Sequence, residues 1–384
     1  MDGLTHDGIL ESGMLSIDDL LHLMVERGAS DLHLKNGSAP MIRIDGELTP
    51  ATYEILTPES VRAMVESILT DEQKAKFIAE KELDLAYSVP GLSRFRVNIY
   101  LQRGSWGAAL RVIPARPLSL DELKMPPILK DLALRPRGLV LVTGPTGSGK
   151  STTLAAMINH GNENRRCHIV TIEDPIEFLH KDKNCVISQR EVGFDTHSFT
   201  MALKHVLRQD PDVILIGEMR DLETTSIAIS AAETGHCVFA TLHTNSAATT
   251  VDRVIDIFPP HQQQQIRMQL SVTLEGVLCQ TLVPKAKGGG RVMAMELMPV
   301  TPAIRNIIRE GKSHQIPNAI MSGAQYGMQS LDMALRNLYQ QGLITYEDAV
   351  AKCTSPEEFN RLISGGAGGG GQAAPAAQPA PQGR

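Results

Sequence analysis

The apolar residues of this chain change their spacing along the sequence, and each change predicts a different kind of element. From Ser16 to Gly28 they recur every three or four positions, which predicts an amphipathic helix that begins with an S-x-x-D capping box. Thr57 and Thr70 stand at the predicted starts of two further helices. The first of these helices is expected to have one apolar face.

Alternating apolar and polar residues predict the strands of the same region. The alternation covers residues 30–34, 41–44, 83–89 and 95–101, and Asp45-Gly46 is expected to form a hairpin turn. In the last of these strands, Phe95, Val97, Ile99 and Leu101 are expected to share one face, opposite Arg94 and Arg96. Together, these elements predict a small α+β domain over residues 16–114.

Beyond a linker at residues 115–124, the pattern changes to short, continuous apolar runs separated by helical stretches. The clearest runs cover residues 138–143, 168–173, 212–217 and 237–243. Continuous apolar strands that alternate with helices predict a mostly parallel sheet with helices on both faces. We therefore expect an α/β core over residues 125–260, followed by a helical subdomain over residues 261–363.

Composition and charge exclude several classes of protein. The net charge of −6 and the absence of a long run of Lys or Arg argue against nucleic acid as the main partner. No apolar run approaches the length of about 18 residues that a membrane span needs, and the N-terminus does not look like a signal peptide. Five widely spaced cysteines without a C-x-x-C motif indicate reduced thiols in a cytosolic protein. Residues 1–15 are expected to form a loose extension, and residues 364–384 a disordered Gly/Ala/Pro tail.

The run at 138–143 leads directly into a phosphate-binding P-loop of the form G-x-x-x-x-G-K-[ST]. Its residues are Gly144, Pro145, Thr146, Gly147, Ser148, Gly149, Lys150 and Ser151, followed by Thr152. Glycines let backbone N–H groups face phosphate oxygens, and the helix predicted from Ser151 directs its N-terminus at them. Lys150 adds a positive charge, and Ser151 offers a hydroxyl to Mg²⁺. A chance match is disfavoured, because strand, loop and helix all agree.

Carboxylates and a histidine end three of the predicted strands. Glu218 follows a strand of the Walker B type, where a carboxylate binds Mg²⁺ through water or orients the attacking water. Glu173 ends a second strand, although capping of the next segment is a stronger competitor there. His243 ends a third strand and is expected to sense the γ-phosphate, whereas His236 is as readily a structural histidine.

Arginines of the first domain form another candidate group, which consists of Arg94, Arg96, Arg103 and Arg111. Arginine suits the charge of phosphate in a transition state. The residues alone favour the simpler interpretation, in which these arginines are solvated on the polar faces of strands.

Four ordered segments together resemble the Walker A, Asp, Walker B and His boxes of the secretion ATPases, which drive type II secretion and type IV pili. They are GPTGSGKST at 144–152, TIEDPIE at 171–177, DPDVILIGEMRD at 210–221 and TGHCVFATLHTNSA at 234–247. AIRNIIRE at 303–310, with Ile307 where the usual pattern has Leu, resembles the signature of the pilus retraction ATPases. The tetracysteine zinc motif expected in extension and type II secretion ATPases is missing.

The resemblance implies a hexameric ring whose subunits have a PAS-like N-terminal domain and a RecA-like ATPase domain, with ATP between them. By position it assigns phosphate and Mg²⁺ binding to Lys150 and Ser151, and the catalytic carboxylate to Glu218. It also places Glu173 in the Asp box and matches Arg96 and Arg111 to arginines that line the nucleotide.

The function implied by the resemblance is retraction of type IV pili, by a cytoplasmic motor that reaches the inner membrane only through a platform protein. A paralogous retraction ATPase is a second implied partner. The alternatives are an extension or type II secretion ATPase, and an accessory nucleotide-binding subunit that turns over little ATP.

Overall fold

The computed structural model describes residues 15–44, 46–51, 53–114 and 116–364. Contacts divide the chain into two compact units, Met1–Arg116 with Glu177–Leu179, and Pro117–Ile176 with His180–Arg384. Each unit has its own sheet and its own core. The predicted N-terminal extension and C-terminal tail lie almost wholly outside the described residues, and so does Asp45 of the predicted hairpin turn.

The described part of the first unit is an antiparallel sheet with helices. In chain order its elements are α1 (Ile17–Glu26), β1 (Asp31–Lys35), β2 (Met41–Ile44), β3 (Glu47–Pro50), α2 (Pro58–Glu66), α3 (Asp71–Glu80), β4 (Glu82–Val89), β5 (Ser93–Gln102) and β6 (Ser105–Ile113). The strand order is β3-β2-β1-β6-β5-β4, and all neighbouring strands are antiparallel. The predicted α+β character of this region is confirmed.

Local capping explains where the three helices of this unit begin. Ser16, Thr57 and Thr70 each accept a hydrogen bond from the backbone N–H three residues later, and all three complete a capping box. Of the four residues predicted to share one face of β5, Phe95, Val97 and Ile99 are buried, whereas Leu101 is 38 % exposed. Leu101 pairs with Trp106 next to the β5–β6 turn, beyond the edge of the core.

The second unit is built on a seven-stranded sheet. Its described helices and strands are α4 (Ile128–Ala133), β7 (Gly138–Thr143), α5 (Lys150–Asn164), β8 (His168–Glu173), β9 (Val186–Glu191), α6 (Phe199–Val206), β10 (Val213–Ile216), α7 (Leu222–Glu233), β11 (Cys237–Leu242), α8 (Ala247–Asp256), α9 (Pro260–Thr273), β12 (Leu274–Pro284), β13 (Arg291–Pro299), α10 (Pro302–Arg309), α11 (Ile316–Ser322), α12 (Leu331–Gln340), α13 (Tyr346–Val350) and α14 (Pro356–Ser364).

Helices cover both faces of this sheet, as predicted for buried apolar strands. The strand order is β13-β12-β7-β11-β10-β8-β9, and only the β12–β13 pair is antiparallel. Successive side chains of β7 point to opposite cores. Leu139 and Leu141 pack in the core shared with α6 to α9, whereas Val140 and Val142 pack in the core shared with α4 and α5.

The expectation that residues 261–363 are helical is wrong for one stretch, because β12 and β13 lie within it. β12 pairs in parallel with β7 and brings Cys279 opposite Thr143. β12 and β13 therefore extend the parallel sheet beyond β7. The sequence concealed this strand because Thr273, the last residue of α9, is followed at once by β12, without a glycine or proline as a boundary. The domain boundaries themselves stay predictions. Among the described helices, none has both the length and the apolar character needed to cross a bilayer.

Candidate nucleotide-binding site

The carboxyl ends of four neighbouring parallel strands carry the candidate residues of the second unit. Glu173 ends β8, Glu218 follows β10, His243 follows β11 and Gly144 follows β7. These strands are adjacent in the order β8-β10-β11-β7, so the P-loop and the three side chains lie along one edge of the sheet. This is the edge at which ligands bind in open α/β sheets.

The P-loop has the backbone of an anion cradle. Gly144, Gly147 and Gly149 have φ angles of 138°, 76° and 88°, in a region that glycine tolerates. Gly149 is the N-cap of α5 and supplies no side-chain cap, so a bound anion can take the place of a cap at this helix start. At Gly144 a Cβ atom would lie 2.2 Å from the carbonyl oxygen of Gln280, so only glycine fits there.

The rest of the loop completes this cradle. Pro145 and Thr146 form the turn after β7, and Ser151 and Thr152 lie in the first turn of α5. Lys150 Nζ donates to the carbonyl oxygens of Gly144 at 2.8 Å and Pro145 at 3.2 Å. The ammonium group therefore lies against the loop that is expected to hold phosphate.

The β12–β13 hairpin supports the P-loop from the side, which the sequence did not predict. Gln280 Nε2 donates to the carbonyl oxygen of Ser148 at 2.9 Å, and Arg291 Nη1 approaches the carbonyl oxygen of Gly147 at 3.5 Å. Within the described residues, the buried Ser148 Oγ has no hydrogen-bond partner. An unpaired buried hydroxyl in a glycine-rich loop at a helix start fits a site that a polyanionic ligand completes.

Glu218 is held between two basic side chains. Its Oε2 accepts from Arg220 Nη2 at 2.7 Å, and its Oε1 lies 3.0 Å from His243 Nε2. The hydrogen bond from Arg220 lowers the pKa of Glu218 most, and the bond with His243 lowers it further against the opposing effect of burial. Glu218 is thus an ionised carboxylate at working pH. The sequence did not predict Arg220 as a site residue, although it stands only two residues after Glu218.

Glu173 is fixed by neighbours on its own strand and on β9. Its Oε1 accepts from Thr171 Oγ1 at 2.6 Å and from Gln189 Nε2 at 3.1 Å. The N–H of Gly217 donates to the carbonyl oxygen of Ile172 at 2.8 Å, which brings the ends of β8 and β10 together. The structure therefore places Glu173 at the same edge as Glu218, and its role in catalysis stays a prediction.

Arg96 and Arg111 belong to the first unit, where they are directly opposite each other on β5 and β6. Both are exposed. Arg111 Nε donates to Asp31 Oδ1 at 2.7 Å, and Arg43 Nε lies 3.7 Å from Asp31 Oδ2. Asp31 therefore already balances part of this positive charge, and the role of Arg96 and Arg111 at a nucleotide stays a prediction.

The P-loop at the carboxyl edge of a parallel sheet, with an ionised carboxylate on a neighbouring strand, defines a P-loop nucleotide-binding protein. Comparison with known proteins gives the family. The family model described as "Type II/IV secretion system protein" matches residues 13–351. The chain belongs to this family, and the predicted resemblance and fold class are confirmed.

Several relatives match along almost their whole length. The type IV pilus retraction ATPase PilT of Pseudomonas aeruginosa is 51 % identical over 345 residues, which cover 90 % of this chain and 100 % of the relative. The type IV pilus ATPase PilU of the same organism is 44 % identical over 91 % of each chain. A crystal structure of the pilus retraction motor PilT with bound ADP matches 90 % of this chain and 99 % of its own, with a TM-score of 0.85 and 46 % identity.

Proposed function

We propose that this chain is an ATP-hydrolysing ring motor that powers retraction of type IV pili, and thereby twitching motility. The observation that carries the proposal is the contact of Glu218 with Arg220 and His243, at the sheet edge that also holds an intact P-loop. The 51 % identity with a pilus retraction ATPase supports the motor function.

Mg²⁺ and ATP fit the residues of this edge. Lys150 and the N–H groups of the P-loop would hold the phosphates, while Ser151 and Glu218 would hold the ion, in part through water. When bound, Mg²⁺ neutralises charge on the phosphate oxygens. Glu218 is kept ionised by its basic neighbours and orients the attacking water.

Two further groups act on the phosphates in this proposal. His243 donates to Glu218 and responds to the γ-phosphate, because it follows the strand next to the P-loop strand. Arg96 and Arg111 supply positive charge from the N-terminal unit, and Asp31 fixes the orientation of Arg111. Glu173 of the Asp box supports the metal site.

The proposed assembly is a homo-hexamer in the cytoplasm. Its domain motions act on a platform protein of the inner membrane, so contact with the membrane goes through this partner. A paralogous retraction ATPase is a further proposed partner, and nucleic acid is not. This arrangement is supported by the similarity to PilT and PilU, which are type IV pilus ATPases of one organism.

A second candidate function is an accessory nucleotide-binding subunit that turns over little ATP. The observation that favours it is the 44 % identity with PilU along 91 % of that chain. The two functions differ in whether the purified ring hydrolyses ATP by itself.

Steady-state hydrolysis of Mg·ATP, measured with the oligomeric mass, tests the proposal. We expect turnover by a hexamer. Glu218→Gln should keep nucleotide binding and lower kcat by about 10²–10⁴-fold, the usual contribution of a general base, whereas Lys150→Ala should lose nucleotide binding. Glu223→Gln is the matched control, because this carboxylate is exposed and pairs with Lys204 on the helix surface.

Two outcomes would contradict the proposal. A ring that binds ATP without turnover would favour the accessory function, and rapid turnover by Glu218→Gln would show that another carboxylate is catalytic. Deletion of the gene in its host separates retraction from extension. Loss of twitching with more surface pili supports retraction, and loss of pili supports an extension ATPase.

A further inference from the structure

A partly buried carboxylate outside the proposed site joins the starts of two helices. Glu296 lies on β13, directly opposite Cys279 of β12. Its Oε1 accepts from the N–H of Ala247 at 2.7 Å, and the backbone of Leu331 also lowers the pKa of this carboxyl. Ala247 is the first residue of α8, and Leu331 is the first residue of α12.

This arrangement explains how a charge is accommodated here. Burial is the main cause that raises the pKa of the Glu296 carboxyl. The hydrogen bond from the Ala247 N–H lowers this pKa, and the negative charge of the nearby Asp332 raises it. Within the described residues no ion pair to Glu296 is seen. Two helix N-termini, each with unpaired N–H groups and a partial positive charge, therefore stabilise the carboxylate in place of a basic side chain.

On one side, Glu296 fixes the segment that carries His243. Ser246 is the N-cap of α8, and Thr244 Oγ1, in the segment before the helix, lies 2.7 Å from Thr250 Oγ1 of α8. Thr250 Oγ1 also donates to the carbonyl oxygen of Ser246 at 2.6 Å. Because His243 immediately precedes this segment, a shift of the α8 start moves the imidazole that contacts Glu218 at 3.0 Å.

On the other side of Glu296, the neighbouring residues of β13 hold the start of α12. Gln329 Nε2 donates to the carbonyl oxygen of Met295 at 2.9 Å, and Gln329 forms a bridge with Leu297 on β13. Asp332, in the first turn of α12, accepts from the N–H of Thr354 at 2.7 Å. The start of α12 is thus tied both to β13 and to the segment that leads into α14.

The starts of α8 and α12 also line one cavity of about 670 Å³. Thr244, Ser246 and Leu331 are among its lining residues, together with Pro145 of the P-loop. The two helix starts consequently have no packed core between them on this side, where Glu296 lies beside both of them.

We propose that Glu296 is a positioning residue, which holds His243 against Glu218 through the start of α8 and links this contact to the C-terminal helices. The inference rests on the proposed function, because it concerns the rate of ATP hydrolysis. Glutamine at position 296 keeps the shape of the side chain, but it replaces one carboxylate oxygen by an NH2 group that cannot accept an N–H, and it removes the negative charge beside the helix starts. Glu296→Gln should therefore loosen one or both helix starts without opening a void.

Two measurements test this inference. The first is kcat and KM of the full-length ring, with Glu275→Gln as the matched control. Glu275 is a partly buried carboxylate on β12 that pairs with Arg305 at 2.6 Å, away from His243. We expect Glu296→Gln to lower kcat about tenfold, the effect of about 1.4 kcal/mol on a barrier, with KM changed less than about threefold. Glu275→Gln should leave kcat unchanged.

A double-mutant cycle with His243→Ala shows whether Glu296 acts through the histidine. We expect Glu296→Gln to add little to the loss already caused by His243→Ala, since residues that act as a unit are not additive. Full additivity would overturn the inference, and so would a kcat equal to wild type in a Glu296→Gln protein of lowered thermal stability.

The second measurement is amide hydrogen exchange, which does not require activity. Peptides that contain Ala247 and Leu331 should both exchange faster in Glu296→Gln than in wild type, and unchanged protection of both would overturn the geometry. If the wild type itself hydrolyses no ATP, the proposed function fails, while the exchange result still decides the structural link.

Should Glu296→Gln not fold, Thr250→Val tests the same connection by removing the hydroxyl that contacts Thr244. It should also lower kcat, and an unchanged kcat would overturn the inference.

Discussion

Replacing Gly144 by alanine tests how closely the P-loop depends on β12. Gly144 has φ = 138°, and an added Cβ would lie 2.2 Å from the carbonyl oxygen of Gln280 and 2.7 Å from Ser148 Oγ. Gly235 is a matched control, because its φ is 116° and nothing lies within 4 Å of an added Cβ. Both substitutions strain the backbone, but only Gly144→Ala also creates a steric clash.

The expected free energies differ by the cost of this clash. Backbone strain at such a φ costs about 1–3 kcal/mol, which is the whole effect expected for Gly235→Ala. Forcing an extra carbon into a packed contact costs about 1–3 kcal/mol more, so Gly144→Ala should lose about 2–6 kcal/mol. Relief of the clash would move the P-loop away from Gln280 and so disturb the nucleotide site. Each 1.4 kcal/mol lost from the binding free energy weakens nucleotide affinity about tenfold.

Guanidinium denaturation followed by circular dichroism, together with titration of a fluorescent ADP analogue, measures both effects. We expect Gly144→Ala to be the less stable variant and to bind the nucleotide at least about tenfold more weakly, while Gly235→Ala binds normally. Equal destabilisation by the two substitutions, with normal nucleotide binding in both, would refute the argument that β12 constrains the P-loop.

Two further predictions concern arginine contacts. Arg220→Ala removes the bond that lowers the pKa of Glu218 most, so this pKa rises and the acid limb of kcat moves to higher pH. An unmoved limb in the pH profile would exclude Glu218 as the titrating group. Arg305→Ala removes the ion pair with Glu275 at 2.6 Å and the cap on the last carbonyls of α9. It should lower the free energy of unfolding by about 2–3 kcal/mol, whereas the exposed Lys312→Ala should lower it little in the same denaturation assay.

The sequence by itself determined the features that depend on neighbouring residues. The capping boxes at Ser16, Thr57 and Thr70 form because each cap reaches a backbone N–H three residues away. The P-loop motif of residues 144–151 is recognisable from the sequence for the same reason, because its glycines and its lysine are close neighbours in the chain. Continuous apolar runs also predicted the parallel strands, because such strands are buried on both faces.

The tertiary structure alone decided which distant residues meet. Strand register places Arg96 opposite Arg111, and no local pattern encodes that register. Similarly, the contact of Gln280 with the P-loop depends on the pairing of β12 with β7, which the helical spacing before Leu274 concealed. The contacts of Glu296 with the starts of α8 and α12 have the same origin. A carboxylate can join two helix N-termini only after sheet pairing and helix packing have brought them to it, and sequence spacing carries no record of that arrangement.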